Sequence, residues 1–228
     1  MNGQHRAIFV SAGMDAFVIA RANMIESQVR PNGVTDPRVI EAMAQVPREK
    51  FLPDAVRDLA YIDADVSLRP GRYLMEPMAL ARLLQLAAIT AEDHVLHIGC
   101  GMGYGTAILA RLARTVVAID EDPEFVALAG ANAAYPNVTV LAAPHAAGLP
   151  AEGPYDVIVV DGRIPAAPQN LLAQLNDKGR LVAVVGGQGT ASGKLFRKHG
   201  NSVSERSAFD ASVPILPGFI VERPGFTF

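Results

Sequence analysis

The stretch that decides the fold is Asp93-His-Val-Leu-His-Ile-Gly-Cys-Gly-Met-Gly-Tyr-Gly-Thr106. Its apolar strand leads into alternating glycines, and a helix is predicted to begin soon after them. Glycine has no side chain and tolerates positive φ, so such a turn lets the backbone pass very close to a ligand. The next predicted strand ends in Asp120, about 20 residues after the first glycine. This layout predicts a nucleoside-binding βαβ unit in which the acid takes a ribose hydroxyl.

Short apolar strands alternate with helices on both sides of this turn. Strands are predicted at residues 95–98, 116–119, 138–141, 157–160 and 181–185, and helices at 106–112, 123–134 and 168–175. Such alternation predicts an α/β fold with a doubly wound, mostly parallel sheet that is buried on both faces. After a turn at 176–179 and the last of these strands, residues 194–199 are interpreted as a polar edge segment, and late strands are expected at 202–208 and 219–221.

The N-terminal third has helical patterns instead of alternation. One helix is expected from residue 15, after a weakly structured start over 1–13, and a second from Pro37, which Thr35 or Asp36 can cap. Residues 61–76 are interpreted as a loop with a short strand, and Pro77 begins a helix that continues to 88. We therefore expect one domain over 1–228, with a helical appendage and loop at 1–76 and a ligand-binding α/β core at 77–228.

Composition excludes several classes of protein. Half of the 228 residues are hydrophobic, 19% are charged and the net charge is −3, so no basic field favours nucleic acid or an anionic membrane. No apolar run approaches the roughly 20 residues of a membrane span. Cys100 is the only cysteine, which excludes an intrachain disulfide and is compatible with the cytoplasm. The five histidines have no metal-ligand spacing, so no metal is expected. The oligomeric state is not predicted.

The glycine spacing distinguishes between nucleosides. The turn from Gly99 to Gly103 is G-x-G-x-G, whereas a dinucleotide site has G-x-G-x-x-G and places a pyrophosphate at a helix N-terminus. S-adenosylmethionine carries no phosphate, so its loop needs close approach but no anion site. A dehydrogenase is therefore disfavoured. In the alternative interpretation, the glycines only make a tight strand–helix connection. That interpretation does not explain why an acid, Asp120, ends the next strand at the distance typical of a nucleoside site.

Linked stretches in the right order make the chain resemble the protein-L-isoaspartate O-methyltransferase family over roughly residues 22–217. They are Val46-Pro-Arg-Glu-Lys-Phe-Leu-Pro53, Ala60-Tyr-Ile-Asp-Ala64, Val95-Leu-His-Ile-Gly-Cys-Gly-Met-Gly-Tyr104, and Pro165-Ala-Ala-Pro-Gln-Asn-Leu-Leu-Ala-Gln-Leu175 with Gly179-Arg-Leu-Val182. The resemblance implies a Rossmann-like methyltransferase sheet and S-adenosylmethionine as cofactor. It also implies methyl transfer to a carboxylate of a protein or peptide acceptor that contains damaged aspartyl residues.

The resemblance and the sheet edge together predict the cofactor site. The expected cofactor-binding residues are His97, Gly99, Cys100, Gly101, Gly103, Tyr104, Asp120, Glu121, Pro144 and Asp161. Two positions depart from the family. His97 stands where the family has an acid that helps to hold the cofactor's amino group, and it is interpreted either as a neutral acceptor for that group or as a core histidine. Ala143-Pro-His145 stands where the family has Gly-Asp-Gly.

The acceptor side departs further, so no catalytic residue is assigned. Met75 stands where the family has a serine or threonine, and a thioether cannot replace that hydroxyl as a hydrogen-bond donor. Glu76 suits an amine or hydroxyl acceptor, or it caps the following helix. Arg72 is a third candidate, because arginine binds carboxylates in a bidentate manner. We expect weak or absent isoaspartyl turnover with Met75.

Three functional hypotheses follow. The first is an S-adenosylmethionine-dependent methyltransferase of the isoaspartyl type. The second keeps the cofactor but has a different acceptor, and the third is a non-catalytic binding or regulatory protein on the same fold.

Overall fold

A computed structural model of the chain describes residues 16–187 and 190–219. The N-terminal part is mostly helical. Helix α1 spans Ala16–Met24 and continues as a π-helical turn, Ile25–Val29, and a 3₁₀ turn, Arg30–Asn32. Helix α2 spans Pro37–Gln45 and is followed by two 3₁₀ turns, Arg48–Phe51 and Asp54–Leu59. Strands β1 (Val66–Arg69) and β2 (Arg72–Leu74) form a hairpin, and α3 spans Pro77–Ala87.

Helix α2 shows how local sequence fixes these boundaries. The Asp36 side chain accepts a hydrogen bond from the backbone N–H of Arg38, 2.9 Å away, and Pro37 occupies the first helical position. Val39 and Met43 lie on its buried face. The predicted cap at residues 35–36 is therefore confirmed at Asp36.

The rest of the chain alternates strand and helix. The elements are β3 (His94–Ile98), α4 (Tyr104–Leu112), β4 (Thr115–Asp120), α5 (Pro123–Asn132), β5 (Val138–Ala142), β6 (Tyr155–Ile164), α6 (Gln169–Ala173), β7 (Leu175–Val185), β8 (Ser192–His199) and β9 (Ser202–Asp210). They form a seven-stranded sheet in the order β5-β4-β3-β6-β7-β8-β9. Strands β3 to β7 pair in parallel. Strand β8 pairs antiparallel with β7 on one side and with β9 on the other. The predicted α/β fold is confirmed.

Both faces of the sheet are covered, although unequally. Val95 and Val157 belong to the larger core cluster, which includes side chains of α2, α3 and α4. Leu96 and Ile158 point to the opposite face and pack in a second cluster with Leu171 of α6. Because β3, β4 and β6 pair in parallel, their carboxyl ends lie at one edge of the sheet, where α/β proteins bind ligands.

Several predicted segments differ from the structure. Residues 61–76 contain a two-stranded hairpin instead of a single short strand. The predicted turn at 176–179 lies within β7, where it interrupts the pairing of β7 with β6. The edge assignment of 194–199 is wrong, because β8 lies between β7 and β9 and buries Leu195 and Phe196. Helix α6 is shorter than predicted. Phe219 lies in a bend, and the rest of the expected strand at 219–221 lies outside the described residues, as do residues 1–15.

The N-terminal helices pack on the α/β part and do not stand apart from it. Met43 of α2, Leu83 of α3 and Ile108 of α4 share one buried cluster. The domain division at residue 76 stays a prediction. Across the part of the chain that the structure describes, no helix has the length and apolar character of a membrane span.

Candidate functional site

The glycine turn lies between β3 and α4, at the carboxyl edge of the sheet. Gly99, Gly101 and Gly103 have φ values of 81°, 52° and 98°, in the region that only glycine adopts readily. A Cβ on Gly103 would lie 3.1 Å from the Cα of Ala129 in α5. The Gly99 N–H also donates to the carbonyl of Ile119, 2.9 Å away, which ties the turn to β4. Backbone conformation and close packing therefore both require these glycines.

Asp120 ends β4 directly beside this turn and is fully buried. Its carboxylate forms a bidentate ion pair with Arg72 of β2, with Nη1–Oδ1 and Nη2–Oδ2 distances of 2.7 and 2.6 Å. The backbone N–H groups of Gly101 and Asp122 donate to the same carboxylate at 2.9 and 3.1 Å. The acid predicted to take a ribose hydroxyl is thus fully hydrogen-bonded by the protein itself.

The electrostatics agree with this geometry. Burial alone would raise the pKa of Asp120, but the hydrogen bonds and charge of the Arg72 guanidinium hold it well below the usual range. Burial opposes the charge of Arg72, yet the hydrogen bonds to Asp120 raise the pKa of Arg72. Arg72, predicted as an acceptor-site candidate, therefore contacts the acid that is predicted to take a ribose hydroxyl.

His145 ends the segment that stands where the family has Gly-Asp-Gly, and its ring lies beside Asp120. Its ring is buried, and Nδ1 donates to the carbonyl of Pro217 at 2.8 Å. Nε2 accepts from the N–H of Glu121 at 3.3 Å and lies 3.4 Å from Asp120 Oδ1. The neighbouring candidates Glu121 and Pro144 are exposed. No spacing in the sequence shows the contact of His145 with Pro217, because Pro217 lies in the C-terminal segment.

His97 and Asp161 lie together at the other end of the glycine turn. The Nδ1 atom of His97 is 2.9 Å from the Thr106 hydroxyl of α4. Its Nε2 atom is 3.3 Å from Asp161 Oδ2, but the two groups are not aligned as a hydrogen bond. Among the described residues, His97 Nε2 and Asp161 Oδ1 are both buried without a hydrogen-bond partner. The structure therefore brings two predicted site residues together and leaves each with an unused polar atom.

Tyr104 and Cys100, two of the predicted cofactor-binding residues, are both buried. The Tyr104 ring is buried, with its centroid 5.6 Å from that of Phe51 and 4.8 Å from the guanidinium carbon of Arg48. Cys100 is buried in the turn, and burial raises the pKa of its thiol. Cys100 is therefore a packing residue, and Tyr104 belongs to the core rather than to the open side of the turn.

The acceptor-site candidates precede α3. Met75 is buried, and its carbonyl accepts a hydrogen bond of 2.7 Å from Arg48 Nη2. Glu76 occupies the N-cap position of α3, but its side chain makes no capping hydrogen bond. Its backbone N–H donates to Asp65 Oδ1 at 2.8 Å. Burial raises the pKa of Glu76, and the charges of Asp65 and Asp63 add to that rise. Glu76 therefore stands at the start of α3, where negative charge is favoured, without a side-chain hydrogen bond to the helix.

A small cavity connects the two ends of the site. Its volume is about 20 Å³, enough for one water molecule. It is lined by Gly71, Arg72, Tyr73, Met75, Asp161, Gly162, Val213, Pro214, Ile215, Leu216 and Pro217. Two of the three acceptor-site candidates and one cofactor-site candidate thus face the same cavity.

Strand order, glycine turn and the acid at the end of the neighbouring strand define a Rossmann-like, nucleoside-binding α/β protein of the methyltransferase class. The family model described as "Protein-L-isoaspartate(D-aspartate) O-methyltransferase (PCMT)" matches residues 20–215. A protein-L-isoaspartate O-methyltransferase of Protochlamydia amoebophila (strain UWE25) is 41% identical over 72% of this chain and 79% of its own length. One of Koribacter versatilis (strain Ellin345) is 34% identical over 90% of this chain and 95% of its own length.

The chain therefore belongs to the protein-L-isoaspartate O-methyltransferase family, whose members are S-adenosylmethionine-dependent methyltransferases that act on protein.

Solved structures show the same fold. One protein-L-isoaspartate O-methyltransferase superimposes with a TM-score of 0.77 at 22% identity, covering 88% of this chain and 67% of its own. A Plasmodium falciparum protein described as a member of this family, in complex with S-adenosyl-L-homocysteine, superimposes with a TM-score of 0.74 at 19% identity. That match covers 87% of this chain and 98% of the other.

The backbone of the glycine turn suits S-adenosylmethionine, because no side chain of the turn's glycines blocks its open side. The adjoining space is filled by the ends of long side chains. A Cβ on Gly99 would lie 2.8 Å from Leu216 Cδ1, and one on Gly101 would lie 3.2 Å from Leu68 Cδ1. Arg72 holds Asp120, the acid that is predicted to take a ribose hydroxyl. The residues fit the cofactor on one condition: a ribose can reach Asp120 only when the Arg72 guanidinium leaves it.

Proposed function

We propose that this chain transfers a methyl group from S-adenosylmethionine to a carboxylate of isoaspartyl-containing protein or peptide. The observation that carries the proposal is the glycine turn after β3, hydrogen-bonded through the Gly101 N–H to the acid that ends β4. A phosphate-free nucleoside fits a turn of this kind better than a dinucleotide does.

The chain's own residues divide the work of binding. Gly99, Gly101 and Gly103 let the backbone approach the cofactor, and Asp120 accepts a ribose hydroxyl in place of Arg72. Bound S-adenosylmethionine supplies an electrophilic methyl group on its sulfonium sulfur. Cys100, Glu121 and Pro144 flank the nucleoside region, as the resemblance implies.

A carboxylate acceptor needs positioning more than proton transfer, because it is already ionised near neutral pH. Met75 cannot orient it by a hydrogen bond. Arg72 lines the same cavity as Met75. Once a ribose hydroxyl replaces it on Asp120, its guanidinium becomes available to the acceptor carboxylate. This exchange makes cofactor binding a precondition for acceptor binding.

The proposal is tested with methyl-labelled S-adenosylmethionine and two synthetic peptides that differ only in an isoaspartyl or an ordinary aspartyl linkage. We expect base-labile methyl ester on the isoaspartyl peptide alone, formed slowly because no hydroxyl stands at position 75. Equal labelling of both peptides, or none in a protein that binds the cofactor, would contradict the isoaspartyl specificity.

A second candidate keeps the cofactor and changes the acceptor. Glu76 directly follows Met75, and its pKa is raised by burial and by the charges of Asp65 and Asp63. This environment disfavours a carboxylate acceptor and suits an amine or hydroxyl, for which Glu76 is a base. Labelling of lysine- or serine-containing peptides in preference to the isoaspartyl peptide would favour this candidate.

The third hypothesis, a non-catalytic binding protein on the same fold, is tested by measuring whether S-adenosylhomocysteine binds. If S-adenosylhomocysteine does not bind at millimolar concentration while the protein is folded, that third hypothesis is favoured over both methyltransferases. We further propose a cytoplasmic location, supported by the buried free thiol of Cys100, a protein or peptide partner rather than nucleic acid or a membrane, and one domain over the whole chain.

A further inference from the structure

The carboxylate of Asp161 is buried without adequate compensation. Asp161 belongs to β6, at the irregular pairing of that strand with β7, and its side chain is only 8% exposed. Its Oδ1 atom has no hydrogen-bond partner among the described residues. Burying a charged oxygen without a donor is costly, so such a group is expected to receive a partner that the free chain lacks.

The neighbouring cations do not supply that partner. Arg72 is committed to Asp120 through both of its terminal nitrogens. Arg48 donates to the carbonyls of Ala60 and Met75. His97 lies close enough, but its Nε2 atom is not aligned with the carboxylate as a hydrogen bond.

The fold keeps space for this arrangement at Gly105. Gly105 lies in the first turn of α4, and a Cβ there would lie 2.8 Å from His97 Cε1 and 3.0 Å from Asp161 Oδ2. Any other residue would push the imidazole and the carboxylate apart. His97, Gly105 and Asp161 are therefore mutually adapted, and the fourth glycine of the turn is explained by packing.

The position of Asp161 limits what can reach it. The carboxylate lines the cavity that contains Arg72 and Met75, and its backbone carbonyl lies 3.4 Å from where a Cβ of Gly99 would be. A ligand on the glycine turn would place its adjacent group here. The space beside Asp161 suits a compact hydrogen-bond donor, and a primary ammonium is such a donor that also brings the opposite charge.

We propose that Asp161 receives the α-ammonium group of the cofactor and that His97, held by Thr106, positions the Asp161 carboxylate for it. The inference rests on the proposed function. The carboxylate for the cofactor's amino group would then come from Asp161 of β6. Strand β3 does not supply one, because His97 stands at the position where the family has an acid.

The test compares two nucleosides that differ in the ammonium-bearing part. Wild type and Asp161→Asn are titrated calorimetrically with S-adenosylhomocysteine and with 5′-methylthioadenosine, which lacks the amino-acid moiety. We expect Asp161→Asn to weaken S-adenosylhomocysteine binding about 10- to 100-fold, the usual range for losing a hydrogen bond to a charged group. Methylthioadenosine binding should stay unchanged.

Asp156→Asn in the same strand is the matched control. Asp156 accepts hydrogen bonds from the His94 N–H at 2.8 Å and from Asn176 at 2.7 Å, so its carboxylate is structural. Asp156→Asn should lower the midpoint of thermal unfolding of the ligand-free protein and change neither affinity. Asp161→Asn should raise that midpoint, by about 2–4 °C, because it removes an uncompensated buried charge.

The outcomes are separable. A similar loss of both nucleosides in Asp161→Asn, or a lower thermal midpoint in that variant, overturns the inference because Asp161 is then structural. Wild type that binds methylthioadenosine but not S-adenosylhomocysteine also overturns it. Wild type that binds neither overturns the proposed function itself.

Discussion

Replacing Arg72 by methionine is the sharpest perturbation that the structure offers. Arg72 and Asp120 are both buried, and each oxygen of the carboxylate receives one guanidinium nitrogen at 2.7 or 2.6 Å. Methionine keeps an apolar stem of similar length but removes the charge. The variant therefore separates the ion pair from the packing of β2.

The expected loss of stability follows from the burial of the pair. Removing one partner of a buried ion pair costs roughly 3–5 kcal/mol, because the other charge is left uncompensated. Asp120 retains the N–H groups of Gly101 and Asp122, so we expect the lower end, about 3 kcal/mol. S-adenosylhomocysteine should bind at least about 10-fold more tightly to the folded variant, since the ribose no longer competes with a guanidinium.

Arg69→Met is the matched control from the same hairpin. Arg69 pairs with Asp122 and Glu124 at 2.6 and 3.0 Å, and its side chain is 31% exposed. Such half-exposed pairs contribute about 0–1 kcal/mol. Stacking on Phe125, 4.0 Å from the guanidinium carbon to the ring centroid, adds roughly 0.5–1 kcal/mol. We expect a loss of about 1 kcal/mol and unchanged cofactor affinity.

Both variants are measured by urea unfolding at pH 7 and by calorimetric titration. The reasoning is refuted if Arg72→Met loses no more stability than Arg69→Met, or if its affinity for S-adenosylhomocysteine falls while it is folded. In the first case the ion pair is not a significant part of the fold. In the second, Arg72 holds the cofactor instead of competing with it.

Four further outcomes are expected. The pKa of Asp120 is lowered on folding, so the stability from its pairing is complete above about pH 4 and lost below it; the difference in unfolding free energy between wild type and Arg72→Met should shrink on acidification and not grow. Gly103→Ala should cost about 1–3 kcal/mol, measured by urea unfolding, because its φ is 98° and its Cβ would lie 3.1 Å from Ala129. Cys100 should react with a thiol reagent only on unfolding, since burial raises the pKa of the thiol; rapid labelling of native protein would contradict this. Met75→Ser should cost about 2 kcal/mol of stability yet raise isoaspartyl turnover, and a cofactor-binding variant without turnover would show that the acceptor site differs by more than this hydroxyl.

The local sequence pattern predicted those features that depend only on residues close together in the chain. The strand that ends at Ile98, the glycine turn and the acid at the end of β4 follow from apolar runs and glycine spacing, and the Asp36 cap follows from its position before Pro37. The edge assignment of residues 194–199 failed because charged residues flank Leu195 and Phe196 there. The sequence of this segment does not show that β9 pairs with β8 and covers its other edge.

The pairing of charged residues could not be predicted from the sequence. Arg72 and Asp120 are 48 positions apart, and His145 and Pro217 are 72 apart. No periodicity connects such residues, because the hairpin and the C-terminal segment reach the glycine turn through the tertiary fold. The sequence identified Asp120 as an available acid, and only the structure shows that it is already taken.

In the proposed function, one residue, Arg72, serves both the cofactor and the acceptor. The β1–β2 hairpin carries Arg72 on one side of the cavity, and Met75 follows directly after β2. Any ligand that takes Asp120 must move Arg72, and a guanidinium released into a cavity lined by Met75 and Asp161 changes the charge that an acceptor meets. A site with separate cofactor and acceptor residues would bind the two in either order. Under the proposed function, the shared arginine makes nucleoside binding the step that creates a cationic acceptor site. The acidic surroundings of Glu76 are then compatible with a carboxylate acceptor only after that step.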